Sequence, residues 1–461
     1  MLDRLPTDIL LVDILGLLDS QSLVELESVS SQFRYLVNDE SLWKQLCVHE
    51  FNISQDHAYR HKGWKKFYMA LKYHTKLYTW GENFDDRLGL TQPQYDTQPG
   101  LFRPVMRTQH LRRRHANEVT EPQQVTSLDH VCLIDIIAGG WSFHALDTTG
   151  TVWMWGTMQQ DVTYRASIGT TRLKRPTELQ SDNETQAKIK FRSISSGRGH
   201  VIGLARDGTV WHWSNHIMLQ KVALDAGAPV AQVVANWNYS SVLTESGALY
   251  IVPKPDPIIP SQVLVEPAPT QVMAACVTLQ QILPTADPKD KLVQLAGLEN
   301  HTLVLTQHGL VLKLATVDPD AFSLSPQHHV TELKQFSGIG EHNNRHGIMK
   351  RFITGAFHHF AVYTKDKVML GNIDTTEPET LAELDHQDIC KVSFGDYHYG
   401  ALTNQGQLFT WGNYSSGALG HGQDHSKQRQ ERPKRVEALN NQFVFAIGFG
   451  GWQSAALAID Q

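Results

Sequence analysis

The 461-residue sequence predicts a mostly β protein, a seven-bladed β-propeller closed by its N- and C-terminal strands and preceded by a small all-α domain. Three observations carry that prediction. The hydrophobic spacing switches once, near residue 75, from three or four residues to two. A short motif then recurs seven times. The seventh copy stops at its turn, while the strand it lacks stands alone at the start of the β region.

The helical signal comes first. Leu10, Ile14, Leu17 and Leu18 recur at helical spacing, as do Leu23, Leu26 and Val29, followed by Phe33 and Val37. Pro6 stands where a helix begins, and its missing N–H costs nothing there. After SLWKQL (41–46), the segment KGWKKFYMALKYH (62–74) aligns Trp64, Phe67, Tyr68 and Leu71 in one stripe. The expected division is a helical domain over 1–50, a helical linker over 51–75 and a propeller over 76–461. The apolar run 9–18 is too short to span a bilayer, is interrupted by Asp13, and precedes no small-residue cleavage site.

The repeat is clearest in HTLVLTQHG (301–309). Its cousins end at Gly150, Gly208, Gly247, Lys367, Gly406 and Gln461, so the copies are 39 to 62 residues apart. Four residues before each end stand Leu146, Leu204, Leu243, Leu305, Tyr363, Leu402 and Leu457. The residue before each of those is small or β-branched, from Ala145 to Ala456, as a crowded centre requires. Second strands such as TVWMWG (151–156) and QLFTWG (407–412) follow most turns. One copy cannot bury both its faces, so the copies must stack. A solenoid leaves the orphan strand KLYTWG (76–81) unexplained, whereas a ring in which it completes the last blade accounts for both ends.

Composition narrows the function. A net charge of -6 makes neither nucleic acid nor an anionic membrane an expected partner. Four scattered cysteines with no CxxC pair argue against a disulfide scaffold and a zinc site, and suit a soluble protein of the cytoplasm or nucleus. No GxSxG, HExxH or phosphate-loop motif occurs, so neither a catalytic residue nor a cofactor or metal is expected. His200, His301, His359 and His398 share one repeat position, but sit in different blades and read as structural, like Trp80, Trp155, Trp213 and Trp411.

The repeats resemble the regulator-of-chromosome-condensation type, most strongly at 142–156 and 398–412, and weakly around 236–252 and 352–371. LPTDIL (5–10) and the apolar residues that follow it, in order through SLWK (41–44), resemble an F-box. The pairing of the two is similar to the fungal SCF-associated factor family, substrate receptors of ubiquitin ligases. The resemblance implies a Skp-family adaptor, a cullin reached through it, and a protein substrate of unknown identity. On that reading the adaptor contacts are Leu5, Pro6, Ile9, Leu10, Ile14, Leu17, Leu18, Leu23, Val29, Phe33 and Trp43, some of which must also build the internal core. Guanine-nucleotide exchange and a ligase-independent propeller scaffold are the alternative readings.

The loop before each repeat strand is rich in aromatics and charge: Trp141, Arg198, Trp237, Phe357, His358, Asp396, Tyr397 and Trp452. Ring symmetry puts all of them on one face, the composition of a protein-binding surface. The same rings can instead pack against neighbouring loops. LRRRH (111–115) reads either as a solvated loop or as a reader of acidic segments, and PKPDPIIP (253–260) as an extended connection. The glycine-rich loops at 82–90 and 412–422 read as inter-blade turns and not as phosphate cradles.

Overall fold

The computed structural model describes residues 6–51, 63–90, 118–158, 172–179, 189–215, 219–255, 270–271, 277–316, 319–337, 351–422 and 428–461. The LRRRH cluster and most of the proline-rich stretch lie outside them. Seven sheets form a ring. Their innermost strands are Leu133–Ala138, Phe191–Ser196, Val230–Ala235, Leu292–Gly297, Phe352–Ala356, Ile389–Phe394 and Gln442–Gly450, defining blades 1 to 7, and each touches the next around the circle. Blade 3 has three strands among the described residues, and blade 5 ends in the two-residue strand Glu379–Thr380. Both copies lack the Trp-Gly ending.

The ring closes through more chain than expected. Lys76–Glu82 pairs antiparallel with Gln453–Asp460, as the orphan strand predicts. A second N-terminal strand, Glu118–Gln124, then pairs outside it, so blade 7 takes two strands from each end of the propeller. The Trp-Gly signature has a steric cause. Gly81 and Gly156 sit at φ +106° and +90°, and a Cβ would lie 2.4 Å from the carbonyl oxygens of Trp452 and Trp141 respectively. Both glycines fall at a register shift between the third and fourth strands, a bulge that only glycine fits without strain. The preceding tryptophans, Trp80 and Trp155, are fully buried in blade cores, as is Trp213 at the same repeat position.

Three of the four repeat histidines latch one blade to the next. His200 Nε2 is 2.9 Å from Ser240 Oγ of the next blade, His398 Nε2 is 2.9 Å from Ser454 Oγ, and His359 Nε2 is 3.0 Å from the Tyr399 hydroxyl. Blade 3 carries Tyr239 at this position, and its hydroxyl reaches Thr302 and Thr316 of blade 4. Burial holds the imidazoles neutral, lowering His200 from the ordinary 6.5 to about 3, and His359 and His398 to about 4.

The N-terminal helices pack on one face of the ring. A distorted turn over Thr7–Leu17 leads into helices Ser20–Val29, Ser31–Val37 and Glu40–Phe51. Asp19 caps the first, accepting from the Gln21 and Ser22 amides, and Ser30 caps the second through the Phe33 amide. Helix Trp64–Tyr73 then joins the two parts. Tyr68 meets Trp43 and Phe51 on one side, with ring centroids 5.1 and 5.4 Å away. On the other, Phe67 meets Phe443 of blade 7 edge-on at 5.4 Å, and the Cys132 thiol reaches the Leu71 carbonyl at 3.6 Å. The aromatic stripe is thus core to both parts at once. No helix among the described residues is long and apolar enough to cross a membrane.

Two outcomes are expected. Phe67→Ala removes a side chain buried at the seam and should cost about 3–5 kcal/mol; calorimetry should show the single transition of the native chain split into separate helical and propeller transitions. Folding depresses the pKa of the latch histidines, so the unfolded chain takes up protons first as pH falls below about 6.5. Each latch then loses about 1.4 kcal/mol of stability per pH unit until its own folded pKa is reached. Melting temperature should therefore fall steadily from pH 7 to pH 5, and less steeply in His200→Asn/His398→Asn.

Candidate functional site

Each innermost strand ends in a short loop at the mouth of the central channel, on the face opposite the helices. The structure brings six of the eight residues expected on this face into one connected group across that mouth. The Arg198 guanidinium from blade 2 lies between two indoles, its carbon 4.4 Å from the Trp141 ring centre and 3.8 Å from that of Trp237. Its Nη1 donates to Asp396 Oδ2 of blade 6 at 3.3 Å, spanning the ring. Phe357 continues the stack, 4.5 Å from Trp237, and His358 lies against Phe357 at 3.8 Å. Phe357 sits at φ +52°, a left-handed backbone that an aromatic residue adopts only under constraint.

Tyr397 stands beside the group, 45% exposed, and Trp452 is half-buried. Trp141 is itself buried, so it offers a partner little unless Arg198 moves. The rings line the mouth and also pack on one another.

One member escaped the sequence pattern. Glu299 of blade 4 occupies the loop position of Arg198, Trp237, Phe357 and Asp396, and its Oε2 is 2.6 Å from His358 Nε2. Its repeat copy has no aromatic there; aligning all copies on the strand start was the signal that would have found it. The loops are stitched together by backbone bonds, Gly140 N to Arg198 O at 3.0 Å and Glu299 N to Phe357 O at 2.7 Å. Burial pushes the Asp396 carboxyl above its ordinary range, against the pull of Arg198. The recess lined by these loops holds only about 70 Å³, so Arg198 all but fills the mouth. Among the described residues no cluster of His, Cys, Asp or Glu suits a metal ion.

The opposite mouth opens on a cleft of about 1370 Å³ between the helices and the starts of the innermost strands. Its walls include Leu17, Leu18 and Gln45 on one side and Arg192, Gln232 and Lys391 on the other. The expected adaptor residues sort by exposure. Leu10, Leu23 and Trp43 are core, at 6%, 0% and 0% exposed, and hold the helices together. Ile14, Leu18 and Phe33 are half-buried against that core. Pro6, Ile9, Leu17 and Val29 are exposed, Leu17 toward the cleft; Leu5 lies outside the described residues. Val12, Val24 and Tyr35 are exposed apolar residues that periodicity did not single out. The glycine-rich loops serve the fold: Ala418 in one accepts from Trp80 Nε1 at 2.8 Å.

Comparison with known proteins agrees with this architecture. An F-box-like family model matches residues 2–49, and regulator of chromosome condensation (RCC1) repeat models match 389–418 and 405–457. F-box protein pof9 of Schizosaccharomyces pombe is 23% identical over 98% of this chain and 89% of its own length. SCF-associated factor 1 of Saccharomyces cerevisiae is 21% identical over 59% of this chain, and the match spans 42% of that protein. A human protein named as a probable E3 ubiquitin-protein ligase, HERC3, is 38% identical over 18% of this chain and 8% of its own length. Among solved structures, human WBSCR16 has a TM-score of 0.56 at 16% identity, covering 84% of this chain and 99% of that one. Prp20p of Saccharomyces cerevisiae has 0.57 at 15%, covering 88% and 96%. At those identities the two structures bear on the fold alone. The chain carries an F-box-like domain ahead of a propeller of regulator-of-chromosome-condensation repeats, and is homologous to F-box protein pof9 and SCF-associated factor 1.

Proposed function

We propose that this chain is the non-catalytic substrate-recognition subunit of an SCF-type ubiquitin ligase. The observation that carries the proposal is the F-box-like match at residues 2–49 within a chain homologous over 98% of its length to an F-box protein. Segment 1–50 docks the Skp-family adaptor and through it a cullin. Segment 51–75 fixes the spacing, and the propeller, 76–461, holds a protein to be ubiquitinated at the mouth built on Arg198, Trp237, Phe357 and Asp396. Exposed Pro6, Ile9 and Val29 suit the adaptor contact, since they place apolar surface in water without holding the core together.

The chemistry required of the chain is proximity. It holds a substrate lysine near a charged conjugating enzyme, raising the effective concentration of one for the other, and supplies no nucleophile. The use of opposite faces suits that role. The mouth points away from the helices, so a bound substrate and a bound adaptor do not compete for space. The helix Trp64–Tyr73, packed into both parts, keeps their separation fixed. The exchange-factor alternative rests on the propeller likeness alone.

Affinity purification of the full chain from its own cells is expected to bring down adaptor and cullin. Ile9→Asp/Val29→Asp, which changes only exposed positions, should lower adaptor recovery about tenfold or more with the melting temperature unchanged. Proteins recovered equally with both forms are candidate substrates. Adaptor absent from both samples, or present equally in both, overturns the assignment of this surface.

A further inference from the structure

We infer that the mouth of the propeller is a binding site for a cationic peptide side chain, arginine above all, and that Arg198 is the chain's own occupant of it. The inference rests on the receptor reading, which makes this mouth the place where substrate is held. The observation is the cage itself. Two indole faces and a carboxylate converge on one guanidinium, and three separate blades beyond its own supply them: Trp141 from blade 1, Trp237 from blade 3, Asp396 from blade 6. Stacking between two tryptophans together with a carboxylate is a recognition site for a flat cation, whichever chain the cation comes from.

The charges of the mouth select the same class. Asp396 and Glu299 place two carboxylates there against Arg198, the one Lys or Arg that lines the recess among the described residues, with His358 between Phe357 and Glu299. An acidic side chain would meet net repulsion. A neutral one that displaced Arg198 would strand the Asp396 carboxylate, whose side chain is only 13% exposed. An incoming arginine restores both the ion pair and the stacking that Arg198 gives up, so the exchange is nearly balanced. Lysine restores the charge but not the planar contact with both rings. Arg198 is the mobile partner by construction: its side chain remains 23% exposed, whereas Trp141 is buried and Asp396 nearly so. The narrow recess admits one side chain and not a folded surface. The outlying Tyr397 and half-buried Trp452 are then positioned to contact residues flanking that side chain.

The test is direct binding to the purified full-length chain, read by tryptophan fluorescence. The probes are a short glycine-serine peptide with one central arginine and the same peptide with lysine or glutamate in its place. Arg198→Ala vacates the cage and should bind the arginine peptide about tenfold more tightly than the native chain, with lysine weaker and glutamate undetected. Arg198→Ala/Asp396→Asn should lose that gain. Should Arg198→Ala fail to fold, Arg198→Lys keeps the charge, fills less of the cage, and should show a smaller gain of the same sign. Equal binding of arginine and glutamate peptides overturns the inference. So does glutamate-peptide binding by the native chain that Arg198→Ala abolishes, since that makes Arg198 a reader of anions. No adaptor enters these titrations, so their failure and the failure of the receptor reading are separately visible.

Discussion

Everything in this molecule depends on closing the ring. Each inner strand of the seven sheets is packed on both sides by its neighbours, so no blade has all its contacts until the ring closes. The circle is completed by the pairing of Lys76–Glu82 with Gln453–Asp460 and the outer strand Glu118–Gln124. That pairing brings together segments nearly four hundred residues apart, and it fixes what each face can do. It sets seven loop ends around one mouth, so that Arg198 and Asp396, far apart in sequence, are neighbours. It also presents Phe443 and Ile459 on the other side as a seat for the helices.

Much of this was legible in the sequence because a propeller repeats one local problem. The Trp-Gly endings mark a bulge where no side chain fits, and the repeat histidines of blades 2, 5 and 6 mark a latch to the next blade. Both are nearest-neighbour constraints, and they leave periodic traces. The second closing strand left none: Glu118–Gln124 is a mostly half-buried edge strand with mixed polar composition. The exposure of the helical leucines was also hidden. Leu10, Leu17, Leu23 and Val29 share one periodicity, yet Leu10 and Leu23 are core and the other two face water. Helical spacing reports which residues are apolar on a face, and a distorted first turn with two neighbours offers apolar contact on more than one side.

The mouth was half legible for a related reason. Ring symmetry places all seven loops together, so a list of residues followed from alignment of the copies. What those residues do to one another did not. The Arg198–Asp396 pair crosses the mouth, and the Phe357–His358–Glu299 contact joins blades 4 and 5 through a residue type its own copy does not share with the others. Such contacts are set by the diameter of the ring, which no single repeat encodes.

The seam between helix and propeller also has a consequence for synthesis. The helices leave the ribosome first, but the surface on which they rest includes Phe443 and Ile459, in the strands made last. Until those strands arrive, the stripe of Phe67 and Leu71 has only half of its core, and its position relative to the ring is not defined. A nascent chain can therefore present its N-terminal helices long before it holds them in their final orientation. The seat of the helices on the ring is therefore complete only when the last blade closes.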